Sequence, residues 1–181
     1  KEKRLWVATG VVILAIYSTL ALASKLAPFV RGLGIEVWLF IVGCLMVLVT
    51  VVIHGLKTRP TGAGVIMALG IVAAYLFIFV RMASPVERSH LIEYSVVAVF
   101  IYEALLERKR NGGGAPVPWL MAISLTTVLG VFDELIQLVI PSRVFDPLDL
   151  LFNFTAGVMA VGGSSLLRWI SDGKLRSSRD T

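Results

Sequence analysis

The chain has 181 residues, of which 57% are hydrophobic and 16% are charged, and its mean hydropathy is +0.85. Because a soluble domain carries about 25% charged residues, this composition excludes an ordinary soluble enzyme, a disordered chain and a disulfide scaffold, and it indicates an integral membrane protein. The net charge of +5 arises from 17 Lys and Arg against 12 Asp and Glu, an excess expected of basic loops on the cytoplasmic side of a membrane.

Six apolar segments follow one another along the chain, and each reaches or approaches the ~30 Å of the hydrocarbon layer when helical. They are residues 5–24, 35–53, 63–80, 91–106, 119–140 and 148–170. None alternates like a membrane β-strand, and helices are the other way to satisfy the backbone in lipid. We therefore predict an all-α integral membrane protein with about six transmembrane helices. Its predicted parts are a three-helix N-terminal part at 1–83, a second three-helix part at 84–170 and a cytoplasmic tail at 171–181.

The basic residues are divided unequally between the two sides of this arrangement. Twelve lie in the N-terminus, in the loops after the second and fourth segments, and from Arg168 through the C-terminal tail, whereas five lie on the other side. Cytoplasmic loops carry the excess of Lys and Arg, so both termini are predicted to be cytoplasmic. Trp6, Trp119 and Trp169 then fall at cytoplasmic helix ends and Trp38 at an outer end, as expected of a residue that concentrates at membrane interfaces.

The fourth and sixth segments are each preceded by a helix-capping sequence. Ser84 to Glu87 reads as a capping box with Pro85 at the first helical position. Asp146 followed by Pro147 is a second cap of the same kind. Helices are therefore predicted to begin near Pro85 and Pro147, with Glu87 and Asp146 acting as caps.

Polar residues form three stripes at the predicted outer ends of the last three segments. They are His90, Glu93 and Tyr94 in the fourth segment, Asp133, Glu134 and Gln137 in the fifth, Arg143 in the loop that follows it, and Asp149 and Asn153 in the sixth. A charged side chain at the centre of a membrane costs about 2.5–3.5 kcal/mol, so three stripes on one side predict a shared polar cluster that binds a ligand or holds the helices together. The alternative is that each stripe reaches separately to the interface.

These stripes resemble the motifs of the VanZ-like family, which is named after a protein associated with low-level resistance to the glycopeptide teicoplanin. Residues 87–94 resemble the family's Asp-Lys, His and Tyr motif, with Glu87-Arg88 in place of Asp-Lys. Residues 133–143 resemble its Glu, Gln, Pro and Arg motif, and residues 149–157 its Asp, Asn and Gly motif. Order and approximate spacing agree over roughly residues 85–163. The resemblance implies a helical protein of the bacterial inner membrane with a role in the cell envelope.

The predicted function is that of a VanZ-like membrane protein whose outer-facing polar site binds a cell-envelope or lipid-linked component. The alternative is a non-enzymatic accessory or structural subunit of a larger membrane complex, since Ala156, Ala160 and Ser164 form a stripe of small residues that lets another helix approach. The same stripe also fits packing within the chain. An enzyme acting on a lipid-linked substrate ranks third, and no catalytic residue is assigned. The expected partners are membrane lipids, such an envelope component or other subunits, and no nucleic acid.

No cofactor and no metal ion is predicted. His54 and His90 fall at opposite ends of the membrane, ~30 Å apart, and this distance excludes a haem ligated by both. A metal site made of His90, Glu93, Glu134 and Asp149 has suitable ligand types. However, the sequence has no H-E-x-x-H or similar spacing.

The orientation can be tested with single cysteines. We expect Asn111 and the C-terminal tail in the cytoplasm, and Arg31 and Arg143 outside. In a Cys44→Ala background with one cysteine introduced at each site in turn, an impermeant thiol reagent should label intact cells at positions 31 and 143. All four positions should label after the cells are permeabilised. Labelling of Asn111→Cys but not Arg31→Cys in intact cells would establish the opposite orientation.

Overall fold

The computed structural model describes residues 1–32, 62–81, 85–139 and 146–177. Within these ranges the protein is all-helical, with five helices and no strand, as the sequence predicts. The helices are α1 (Glu2–Gly32), α2 (Gly62–Arg81), α3 (Pro85–Arg110), α4 (Pro118–Gln137) and α5 (Pro147–Ser177).

Five of the six apolar segments lie in these helices, the fifth of them over residues 119–137. The second segment, residues 35–53, lies outside the described residues, so six membrane spans and the side on which the termini lie stay predictions. In the described part, α4 and residues Pro147–Trp169 of α5 are long and apolar enough to cross a membrane. A shorter apolar stretch, Gly62–Phe77, lies in α2. Only 28% of the apolar window in α4 and in α5 is buried, so most of these side chains are exposed or partly exposed.

The helix starts follow the prolines that the sequence singles out. α3 begins at Pro85 and α5 begins at Pro147. Asp146 caps α5, because its Oδ1 accepts a hydrogen bond of 2.9 Å from the backbone N–H of Leu148. The bond satisfies one of the N–H groups that lack a partner within the first turn of a helix. The predicted capping box of Ser84 and Glu87 depends on side chains outside the described ones.

α3 is the central helix of the described part. It packs against α1, α4 and α5, while α4 also packs against α5 and α2 packs against α5. Its buried face carries apolar side chains at alternating spacings of three and four residues, the spacing that keeps one stripe of a helix turned toward its neighbours. They are Leu91, Tyr94, Ala98, Ile101 and Leu105. Much of the core therefore lies along one side of α3.

Small residues let α5 lie close to this core. Ala156 and Ala160 are both buried among side chains of the chain's own helices. The interpretation of this stripe as internal packing is thereby confirmed for these two alanines. They give no support to a docking face for a helix of another subunit.

Polar contacts join the C-terminal end of α3 to α5 and to Lys1, the residue before α1. The hydroxyl of Ser165 donates to that of Tyr102 over 2.9 Å, and Arg168 forms an ion pair with Glu103. Nearer the end of α3, Lys1 Nζ lies 3.7 Å from Glu107 Oε2. At ~1.5 Å per residue, Tyr102 lies about 18 Å along α3 from position 90. The two ends of α3 are thus held by separate sets of contacts.

The close approach of α4 and α5 can be tested at Gly130. A Cβ added there would stand 2.8 Å from Cβ and 2.9 Å from Nδ2 of Asn153. We expect Gly130→Ala to lower the free energy of unfolding by about 1–3 kcal/mol, because the extra methyl overpacks this contact. Thermal unfolding of the full chain in detergent measures the change.

The matched control is Gly162→Ala on α5, where an added Cβ meets no atom within 4 Å. This change should leave the stability unaltered or raise it by up to about 1 kcal/mol, since alanine is the better helix former. Equal melting temperatures for the two variants would contradict the close approach of α4 to α5 at Asn153.

Candidate functional site

A polar cluster is buried where α3, α4 and α5 meet. We define it as seven residues, each at most 6% exposed: His90 and Tyr94 on α3, Asp133, Glu134 and Gln137 on α4, and Asp149 and Asn153 on α5. Charged side chains are rarely buried to this extent unless they are paired or hold an ion. The cluster is therefore the feature of the described residues that most requires a chemical explanation.

Seven of the nine predicted site residues belong to this polar cluster. Glu93 is partly exposed on α3, because it precedes Tyr94 by one residue and consecutive side chains on a helix point about 100° apart. Arg143 lies outside the described residues. The structure thus brings residues of the three sequence stripes together, and ligand binding at the cluster stays a prediction.

His90 lies between two carboxylates from different helices. Its Nδ1 is 3.4 Å from Oδ2 of Asp133 on α4, and its Nε2 is 3.9 Å from Oδ2 of Asp149 on α5. The ring also stacks on Tyr94, with ring centroids 6.0 Å apart. The imidazole therefore faces both neighbouring helices at once.

Glu134 joins the end of α4 to the start of α5. Its Oε1 accepts a hydrogen bond of 2.9 Å from Nε2 of Gln137, which lies nearly one turn further along α4. Its Oε2 lies 3.4 Å from the backbone nitrogen of Asp146, the residue that caps α5. Both carboxylate oxygens thus face donors, as a buried carboxylate requires.

Two tyrosines meet at a backbone carbonyl beside the cluster. The hydroxyls of Tyr17 on α1 and Tyr94 on α3 both donate to the carbonyl oxygen of Leu129 on α4, over 3.0 and 3.4 Å. Sequence reasoning missed Tyr17 because it belongs to none of the three stripes. The signal that could have found it is a tyrosine hydroxyl inside an apolar segment, since such a hydroxyl needs a partner.

The amide of Asn153 is the second feature that requires an explanation. The side chain is 1% exposed, and neither its oxygen nor its nitrogen has a hydrogen-bond partner among the described residues. The hydroxyl of Thr126, which sequence reasoning also missed, is in the same situation. A buried polar group without a partner costs about 1–3 kcal/mol, so an amide in this position points to a bound water or ligand.

The polar cluster is separate from an apolar groove in the described part. That groove has a volume of about 310 Å³ and lies between α1, α3 and α4. Its lining is mainly apolar, with Trp6, Ile13 and Ile101 among it, and it includes Leu129 but no member of the cluster. The polar cluster is instead a buried layer between α3, α4 and α5.

The chemistry available to this layer follows from its ligand atoms. Asp133, Glu134 and Asp149 offer carboxylate oxygens and His90 offers imidazole nitrogens, which are the groups that bind divalent metals in proteins. One such atom from each of His90, Asp133 and Glu134 lies within 4.8 Å of the others. The same oxygens also accept hydrogen bonds from hydroxyl or ammonium groups.

No family model, curated protein or solved structure matches the chain. The resemblance to the VanZ-like family therefore depends on the three motif segments, most of whose polar residues lie in the polar cluster.

The structural role of Glu134 can be tested by substitution. Glu134→Gln keeps the shape but turns one acceptor oxygen into a donor, and Glu134→Ala removes both acceptors. Since a buried donor that loses its partner costs about 1–3 kcal/mol, we expect both variants to unfold at lower temperature, Glu134→Ala more so.

Glu107→Gln is the matched control for these variants. Glu107 is a carboxylate at the far end of α3 whose partners, Lys1 and Arg110, are largely exposed. Ion pairs of this kind contribute about 0–1 kcal/mol, so this variant should unfold close to the wild type. Unchanged unfolding of Glu134→Ala would mean that Glu134 does not join α4 to α5.

Proposed function

We propose that the chain is a VanZ-like integral membrane protein of the bacterial inner membrane. Its polar cluster binds the head group of a cell-envelope or lipid-linked component at the outer face. The observation that carries the proposal is the cluster itself, in which seven polar side chains from three helices are buried at one end of the helix bundle. Burying so many polar groups is costly, and binding a polar ligand gives a reason to retain them.

The outward-facing apolar side chains support the membrane part of the proposal. Val128 and Phe132 on α4 and Leu151 on α5 are each at least 50% exposed. A core helix of a soluble protein buries most of its surface, whereas only 28% of each apolar window is buried here. Extended apolar surfaces of this kind fit the hydrocarbon of a membrane.

The charge distribution supports the outer placement of the site. α3 ends with Arg108, Lys109 and Arg110, three basic residues in its last turn. If that end lies in the cytoplasm, as the positive-inside rule favours, position 90 at the other end lies toward the outer face. The N-terminal ends of α3 and α5 and the C-terminal end of α4 then all face outward.

The ligand is a head group that presents hydrogen-bond donors. Three buried carboxylates in one layer accept hydrogen bonds and repel bare anions. A hydroxyl-rich sugar or an ammonium group satisfies them, and the amide of Asn153 can both donate to and accept from a sugar hydroxyl. Apolar chains of a lipid-linked molecule would lie against the outward-facing side chains of α4 and α5.

An accessory subunit of a larger complex is the second candidate. The observation in its favour is the exposed face of α2, which includes Ile66, Leu69 and Phe77. Lipid covers such a face as well as a protein does. The two candidates therefore differ in what accompanies the purified protein.

The test is to purify the full chain from bacterial membranes and to measure bound envelope lipids by mass spectrometry. We expect the wild type and Glu107→Gln to retain the same lipid. Asp133→Asn should bind that lipid about 10- to 100-fold more weakly, because a hydrogen bond to a charged group contributes about 1.5–3 kcal/mol. Equal lipid content in all three proteins would contradict the proposed site. A stoichiometric protein partner, retained by Asp133→Asn and without such a lipid, would favour the accessory subunit.

A further inference from the structure

We infer that the polar cluster is a binding site for one divalent transition-metal ion, held by His90, Asp133 and Glu134. This inference goes beyond the proposed function and does not depend on it, since an ion can occupy the cluster with or without an envelope lipid. It arises from three separate features of the cluster, namely the spacing of the ligand atoms, the groups that orient them, and the amide of Asn153.

The spacing of the ligand atoms fits a single small ion. One ligand atom from each of His90, Asp133 and Glu134 lies within 4.8 Å of the other two. Nitrogen and oxygen ligands bind zinc at about 2.0–2.2 Å, so two ligands of a tetrahedral ion lie about 3.4 Å apart. Nδ1 of His90 and Oδ2 of Asp133 already stand 3.4 Å apart, and a shift of about an ångström in Glu134 would complete the coordination.

The ligand types select the class of metal. An imidazole with two carboxylates suits zinc, manganese or iron, whereas calcium and magnesium prefer shells made of oxygen alone. All three ligand residues are at most 2% exposed, so the ion would lie in a dry environment where its attraction to the carboxylates is strong. We therefore expect zinc or manganese to bind more tightly than calcium.

Neighbouring side chains stand where groups that orient metal ligands are usually found. A metal-bound histidine commonly directs its second ring nitrogen to a carboxylate. With Nδ1 of His90 on the side of Asp133, Nε2 lies 3.9 Å from the carboxylate of Asp149. Gln137 fixes the other carboxylate ligand through its hydrogen bond to Glu134 Oε1.

The amide of Asn153 is an independent sign of a group bound between α4 and α5. It lies one helical turn beyond Asp149 on the same face of α5, it is 1% exposed, and neither of its polar atoms has a partner among the described residues. Gly130 makes room for it on α4, one turn before Glu134. A site with three protein ligands keeps a position for water, and such a water would give this amide its partner.

The experiment uses the full chain in detergent, treated with a chelator and then dialysed against Zn²⁺, Mn²⁺ or Ca²⁺ alone. We expect about one Zn²⁺ or Mn²⁺ per chain by elemental analysis, together with a rise in melting temperature that Ca²⁺ does not produce. Loss of an orienting partner alone weakens metal binding about 10- to 100-fold. Asp133→Asn should therefore weaken it by about 100-fold or more, while Glu107→Gln binds as the wild type does.

Several outcomes would overturn the inference. If the wild-type protein binds neither Zn²⁺ nor Mn²⁺, the inference is wrong whatever the variants do. It is also wrong if Asp133→Asn binds the metal as tightly as the wild type. Circular dichroism verifies that each variant is folded, and Glu134→Gln replaces Asp133→Asn if the latter does not fold. An envelope lipid retained by protein that binds no metal overturns this inference alone, whereas metal binding without a lipid overturns the proposed function alone.

Discussion

The contact of His90 with Asp133 and Asp149 is the interaction on which the arrangement of α3, α4 and α5 depends. Each of the three residues comes from a different helix, and each is nearly completely buried. Side chains of this kind cannot turn to solvent without moving a helix. Removing one of them leaves the other two buried without their polar partner, which is costly. The polar contact therefore restricts how the three helices can be placed relative to one another, more than apolar packing alone would.

Different forces act along the length of α3. Near its start, polar side chains join it to α4 and α5, and in its middle small and aliphatic residues such as Ala98 and Ile101 form the core. Toward its end, Tyr102 and Glu103 bind Ser165 and Arg168 of α5. Apolar packing is nondirectional and permits sliding, so polar contacts at both ends fix the register of α3 against α5.

The two proposals place different demands on the same polar cluster. A lipid head group has to reach polar side chains that are each at most 6% exposed. A metal ion requires no open cavity, since its ligand atoms already lie within 4.8 Å of one another. The proposals are compatible, because a metal bound by three protein ligands keeps a position at which a sugar or phosphate oxygen can bind.

The sequence alone determined the helical class, the apolar segments now seen as helices, and the starts of α3 and α5, because composition, segment length and proline caps act locally. It also selected His90, Asp133 and Asp149, since charged residues in apolar segments are conspicuous. It did not reveal Tyr17 or Thr126, which belong to no motif, nor that Glu93 is partly exposed. Only the tertiary structure decided which ligand atoms meet and which amide lacks a partner among the described residues. Those facts depend on how separate helices pack, and residues far apart in sequence carry no local signal of their distance.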